Sequence, residues 1–158
     1  MALSGLSSLG VRLLVANETV AGEKPTTGYK ALTRINSIGG LSITDEQIDS
    51  SAIEDFVSNF VKGRGAVDST LAVTINITEE TIAEWNKVIA DAKALTGGKR
   101  TWWEVYHPSM DKAFFIVAQP PSAIPLPSTG QNELWTVEMS LTVNEYVGLD
   151  DAIAPVTE

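Results

Sequence analysis

Cysteine is absent from this 158-residue sequence, and histidine occurs once, at His107. Without cysteine there is no disulfide, no thiolate metal site and no Cys nucleophile, and nothing hints at a redox compartment. One histidine rules out His-rich zinc sites and two-His iron sites within a single chain. Long apolar runs are missing too. The longest, 13–16 and 113–118, fall far short of the ~20 residues of a membrane-spanning helix. The first ten residues carry neither a basic segment nor a continuous apolar one, so the chain is expected to be soluble and unprocessed. Basic residues are missing from 113–158. All 11 lie in 1–112 beside 14 of the 20 acids, whereas the last 46 residues hold six acids and no base. The formal charge of −9 argues against a partner bound through its phosphates and against an anionic membrane surface.

What is present is mostly alternation. In 70–77, Leu71, Val73, Ile75 and Ile77 fall on one face and Thr70, Ala72, Thr74 and Asn76 on the other. In 132–147, Trp135, Val137, Met139, Leu141 and Val143 oppose Thr136, Glu138, Ser140, Thr142 and Asn144. Sustained period-two patterning predicts half-buried antiparallel strands. Further strands are expected over 11–16, 30–38, 101–107 and 112–119; the last is apolar on both faces and should be covered on both sides. One helix is predicted over about 79–95. Thr78 is its N-cap, Glu79 and Glu80 lie in its first turn, Ile82, Trp85, Ile89 and Ala92 form its apolar stripe, and Gly97-Gly98 stops it. Four of the seven prolines fall in 119–130, an extended loop. The length fits one domain, and the pattern predicts a mainly β fold: an antiparallel sandwich or barrel with one packed helix.

The segment 45–63 fits two readings. Ile53, Phe56, Val57, Phe60 and Val61 follow helical spacing behind a Ser51/Glu54 capping pair, yet the same stretch suits a strand-bearing excursion from the sheet.

Chemistry-bearing motifs are scarce. No dinucleotide, phosphate-loop, zinc-protease or nucleophile-elbow pattern occurs. Gly63-Arg64-Gly65 and Gly97-Gly98-Lys99-Arg100 are basic turns away from any strand-to-helix junction, and Asp45, Glu46 and Asp49 lack EF-hand spacing. Glu104, His107 and Asp111 are the sole material for an acid–base cluster, and a His beside the Pro108 turn needs no such role. No enzyme, cofactor or metal is expected. Trp102, Trp103 and Tyr106 are the best candidates for binding: Trp102 and Tyr106 share a strand face with Glu104 and fit a sugar-stacking platform on a monomeric carbohydrate-binding sandwich. The plainer reading packs one face on the helix through Trp85 and the other on a neighbouring subunit.

The run Ile35-Asn36-Ser37-Ile38-Gly39-Gly40-Leu41-Ser42-Ile43, then Glu46-Gln47-Ile48-Asp49-Ser50-Ser51, then Phe60-Val61-Lys62-Gly63, then Asp68-Ser69-Thr70-Leu71-Ala72-Val73 resembles the major tail (tail tube) proteins of long, non-contractile-tailed bacteriophages. The likeness covers about 30–147; Ser51 stands where Thr is commoner, and Val67-Asp68-Ser69 replaces a more usual Asp-small-Gly turn. It implies one tail-tube domain over 1–158, with a flexible arm at about 1–10, a long loop or hairpin at about 44–69 and an acidic tail at about 148–158. It further implies hexameric rings stacked into a tube that conducts DNA without binding it specifically. The implied partners are further copies of the chain, a tape-measure protein and tail terminator or tip proteins, with no membrane. The expected location is the virion tail, with assembly in the host cytoplasm. In this frame Thr70, Thr74, Asn76, Thr136, Glu138, Ser140 and Thr142 are expected to face the lumen. Asp45, Ile48, Asp49, Ile53, Phe56, Val57, Phe60, Val61 and Arg64 are expected on the loop that reaches the next ring.

Overall fold

The computed structural model describes residues 5–156. In chain order the elements are β1 (Arg12–Asn17), β2 (Lys30–Ala31), β3 (Ile35–Ile38), β4 (Ile43–Asp49), β5 (Phe60–Val67), β6 (Thr70–Asn76), α1 (Glu79–Lys93), β7 (Thr101–Tyr106), β8 (Lys112–Gln119) and β9 (Thr136–Asp151). Seven strands form one antiparallel sheet in the order β2-β1-β7-β8-β9-β6-β3, and β4 pairs only with β5. The fold is mainly β with one helix, as the alternation predicts.

The predicted strand over 30–38 is two strands at opposite edges of the sheet. They are separated by Leu32, Thr33 and Arg34, the last at φ 56. Six inter-strand spacings of a flat sheet would span about 29 Å. Four Cα steps from Ala31 to Ile35 reach at most about 15 Å. The sheet must therefore curl until its edges approach. Arg34 O accepts from the Asn76 amide at 3.0 Å and Leu32 N donates to Leu13 O at 2.9 Å, so the short crossing stays tied to both sides.

The inside of the curl is the main core. Leu13, Val15, Leu71, Val73, Ile75, Trp103, Ile116, Val137, Met139 and Leu141 converge there from five strands, and α1 adds Trp85, with Val88 packed against the cluster. The two indoles stack at 5.7 Å and 23°, with Trp103 Nε1 donating to Ala118 O at 3.0 Å. Each such side chain contributes about 1.5–3 kcal/mol on burial. The helix starts where expected. Thr78 Oγ1 accepts from the Thr81 amide at 3.1 Å and Thr81 Oγ1 accepts from the Thr78 amide at 2.9 Å, a reciprocal box built from two threonines. Of its predicted stripe, Trp85 and Ile89 are buried, Ile82 and Ala92 are half-buried, and Thr81 takes the remaining inward place. Glu84 fastens α1 to the strand crossing by accepting from Thr33 N at 3.1 Å and Thr33 Oγ1 at 2.8 Å.

The outer side of β1, β7 and β8 carries a second cluster, with Leu14, Tyr29, Trp102, Phe115 and Val117. The chain covers this face itself. Tyr29 meets Phe115 edge-on, Lys24 sits over the Phe115 ring, and 152–156 returns across it, Val156 N donating to Tyr29 O at 2.8 Å. The double apolar character of β8 is thus explained, although Phe114 at its start stays partly exposed. Two boundaries differ from expectation. Trp135 precedes β9 and is half-exposed instead of joining the inward row. β9 also runs through 148–151, so the acidic segment begins inside a strand and continues as this packed return.

Candidate functional site: the bare hairpin and the polar strand pair

The ambiguous segment is a hairpin and not a helix. Ile43 pairs with Val67, Asp45 with Gly65, Gln47 with Lys62 and Asp49 with Phe60, with a bulge between Asp45 and Gln47. The bulge is closely packed at Gly63, where a Cβ would lie 3.1 Å from Glu46 O and Cβ, so a side chain there would make these neighbours give by a few tenths of an ångström. The root is closed by Asp68, whose carboxylate accepts from Ser42 N at 2.9 Å while its own amide donates to Ser42 O. The tip is ordered by polar contacts alone. Ser51 N donates to Asp49, Ala52 N to Asp55 at 2.7 Å, and Asn59 N to Ser51 Oγ at 2.6 Å. The Ser51 amide and then its hydroxyl hold the Asp49 carboxyl below its ordinary pKa. Helical spacing loses here because a helix over 51–61 would need a core to bury its stripe. Paired strands satisfy their backbone without one.

All nine residues expected on this loop lie on it and are exposed. Ile53 and Phe56 are fully exposed, and Val57 is 76% exposed. Ile48, Phe60 and Val61 are each more than half exposed. No described residue of the chain covers them.

The seven residues expected on a polar face come together on the adjacent strands β6 and β9. Thr70 faces Thr142, Thr74 faces Glu138, Asn76 faces Thr136 and Ser140 faces Ala72, on the side opposite Leu71, Val73 and Ile75. β3 extends this face through Asn36, whose amide donates to Asn76 Oδ1 at 3.0 Å. Glu138 carries the only formal charge among the seven.

The sugar platform is overturned. Trp102 is 5% exposed, and its Nε1 donates to Glu18 Oε1 at 2.8 Å. Glu104 is wholly buried and Tyr106 half-buried, beneath the loop before β2 and the C-terminal return. A sugar cannot reach a face that the chain covers with its own segments. His107 is likewise structural: Nδ1 accepts from Ser109 N at 3.0 Å and Nε2 lies 2.8 Å from Ser7 O.

Two carboxylates, Glu18 and Glu104, are buried; Glu18 reads in the sequence as an ordinary loop residue, and Glu104 as part of an aromatic strand face. Burial alone would push Glu18 upward in pKa. Hydrogen bonds from Trp102, the Gly22 and Arg100 amides and the Arg100 guanidinium outweigh it and hold the group below its ordinary value. Glu104 goes the other way. Burial raises it, against the Ile153 amide and the Lys24 charge, and its Oε2 has no hydrogen-bond partner among the described residues. Among the described residues no three acidic or histidine side chains are placed to hold a metal, and no helix is long and apolar enough to cross a membrane.

Neither a protein-family model nor a curated protein matches the chain. Solved structures do. A protein in the tail of an empty gene transfer agent particle, computed with helical refinement and C6 symmetry, aligns with a TM-score of 0.58 at 10% identity, over 94% of this chain and 99% of that one. One in the six-fold symmetrised baseplate of the anti-feeding prophage aligns with a TM-score of 0.54 at 14% identity, over 92% and 95%. One in the virion of a native gene transfer agent particle aligns with a TM-score of 0.51 at 12% identity, over 89% and 95%. At these identities the likeness is one of fold, and it spans nearly the whole of each chain.

Proposed function

We propose that this chain is a structural protein of a phage-type tail, whose copies form six-membered rings that stack into a tube. The carrying observation is the 43–67 hairpin, folded and ordered yet bare, with eight large apolar side chains that a lone subunit leaves in water. Contiguous exposed apolar groups of this kind mark an interface with another macromolecule. The full-length fold likeness to components of six-fold symmetric tail assemblies points to further copies of the chain as that partner. On this reading the hairpin reaches a subunit of the adjacent ring, and the polar face of β6 and β9 lines the channel. Its hydroxyls and the Glu138 carboxylate offer DNA no cation, so passing phosphates release no counterions and the strand is not held. Tape-measure, terminator and tip proteins would complete the assembly, which would belong to the virion tail. The role is non-enzymatic.

Electron microscopy of the purified protein at rising concentration tests this directly, with rings or tubes expected. Removing 46–62 leaves Gly63-Arg64 as a two-residue loop between the paired Asp45 and Gly65, a length that suits a tight hairpin turn. That variant should remain a folded monomer, and tubes formed by it would refute the hairpin's role. Glu138→Lys should still assemble while slowing DNA delivery in a tail reconstituted with it; unchanged delivery would remove Glu138 from the channel wall.

A further inference from the structure

On a chain of net charge −9, three of the 11 basic side chains gather around one pocket. Lys93 ends α1, and the glycine turn that follows brings Lys99 and Arg100 alongside it. With Leu95, Pro120 and Pro121 they line an open space of about 270 Å³ that has no acidic residue in its wall. Arg100 is already matched by Glu18 and Glu145. Lys93 and Lys99 are exposed, and neither side chain makes an ion pair among the described residues. The pocket thus combines half-buried apolar walls with two unmatched cations.

The hairpin tip carries the converse chemistry. Glu54 stands between Ile53 and Phe56-Val57, all exposed, and its carboxylate has no hydrogen bond or ion pair among the described residues. Other acids beside exposed apolar groups are engaged within the chain. Glu133, next to Leu134, turns its carboxylate back over Gly130, while Asp150 and Asp151, next to Leu149, pair with Lys24 and Lys112. An apolar cavity of about 150 Å³ takes a benzene ring, so the pocket has room for the Phe56 ring. The tip cannot reach the pocket of its own chain. Val143 N donates to Ser69 O at the hairpin root, which sets Asn144, part of the pocket wall, beside that root. The paired ladder from Ile43 to Asp49 holds the tip about 20 Å farther out.

We infer that the hairpin tip of one copy docks in the basic pocket of another, Phe56 entering beside Leu95 and the two prolines and Glu54 facing Lys93 and Lys99. The occupant is a second copy because the tip supplies, in one segment, the acid and the apolar ring that the pocket lacks, and its own pocket is out of reach. Copies of so acidic a chain repel one another over most of their surface, and a place where opposite charges meet fixes the register in which they associate. Tip and pocket are different patches, so each copy offers one of each to further copies and the contact propagates. Exposed ion pairs are individually weak, and the contact gains its strength from repetition through the assembly.

This inference rests on the self-assembly reading, and the test separates the two. The native chain is first brought to the concentration at which it is half assembled; no assembly at any concentration overturns both. Glu54→Lys and Lys99→Glu, at two exposed positions, then set like charges against each other across the contact. Each should raise the concentration for half assembly by about fivefold, equivalent to about 1 kcal/mol, with an unchanged melting temperature of the dilute chain. The variant carrying both reversals again opposes unlike charges and should recover most of the native assembly. Because the chain has no cysteine, single-cysteine copies carrying Glu54→Cys or Lys99→Cys can be mixed and treated with a short bismaleimide. Crosslinked pairs should form from the mixture and not from either variant alone. Normal assembly by both single reversals, no recovery in the combined variant, or no crosslink preference for the mixture overturns this contact and leaves the self-assembly reading standing.

Discussion

The curled sheet and the hairpin share one kind of secondary structure and differ in everything that usually stabilises it. In β6 and β9 alternate residues enter a core capped by α1, and the register sets Leu71 against Leu141, Val73 against Met139 and Ile75 against Val137. In β4 and β5 alternation leads nowhere, since every residue but Gly63 is exposed. Two-stranded hairpins are marginal in water without a packed face. This one holds its shape through its ladder, the Lys62–Asp45 pair at 3.0 Å and the polar links around Asp55 and Asn59. The contrast shows that burial stabilises the body, whereas the apolar side chains of the hairpin contribute nothing to the lone fold and are free to serve an interface.

The largest test of that division is Trp103→Ala. It removes the indole stacked on Trp85 and the bond to Ala118 O, and should cost about 3–5 kcal/mol in chemical denaturation. A loss below about 1 kcal/mol would mean the body does not depend on its core in the way described. A middle-sized test lies within the body, between Glu18 and Glu104. Glu18 has a lowered folded pKa, so its stabilisation is present above the unfolded carboxylate value near pH 4.3 and vanishes as pH falls through the folded one. Glu104 has a raised folded pKa, so stability declines as pH rises from that unfolded value through the folded one. Glu18→Gln should therefore destabilise at pH 7 by more than about 1.5 kcal/mol, as expected for bonds to a charged group. Glu104→Gln should raise the midpoint at pH 7 and lessen its pH dependence. Equal responses of the two variants would contradict the assigned environments. The smallest expected effect is on the hairpin, where Phe56→Ser should shift the denaturation midpoint by less than about 0.5 kcal/mol while weakening assembly.

The patterns that are local in sequence were legible. Alternation placed β6 and β9 and put all seven polar residues on one face, and Thr78 marked the start of α1 because a cap needs only its own turn. Ile53, Phe56 and Phe60 were legible as a group but not as a shape, since helical spacing has meaning only against a surface that buries it. Trp102 misled for the mirror reason: whether an aromatic face is open depends on distant segments, here 18–29 and 152–156, coming to lie over it. Glu18 carried no signal at all, because its partners Arg100 and Trp102 are more than 80 positions away.

By itself, then, the sequence determined the mainly β class, the capped helix, the lack of any disulfide and the two-sided character of the long final strand. Each follows from interactions within a few residues or from composition. Only the tertiary structure decided that 30–38 divides between opposite edges, that 45–63 forms a hairpin with a loop at 50–59 instead of a helix, and which faces are covered. Those outcomes depend on closing the sheet, which brings together residues far apart in the chain and so leaves no periodic trace in it.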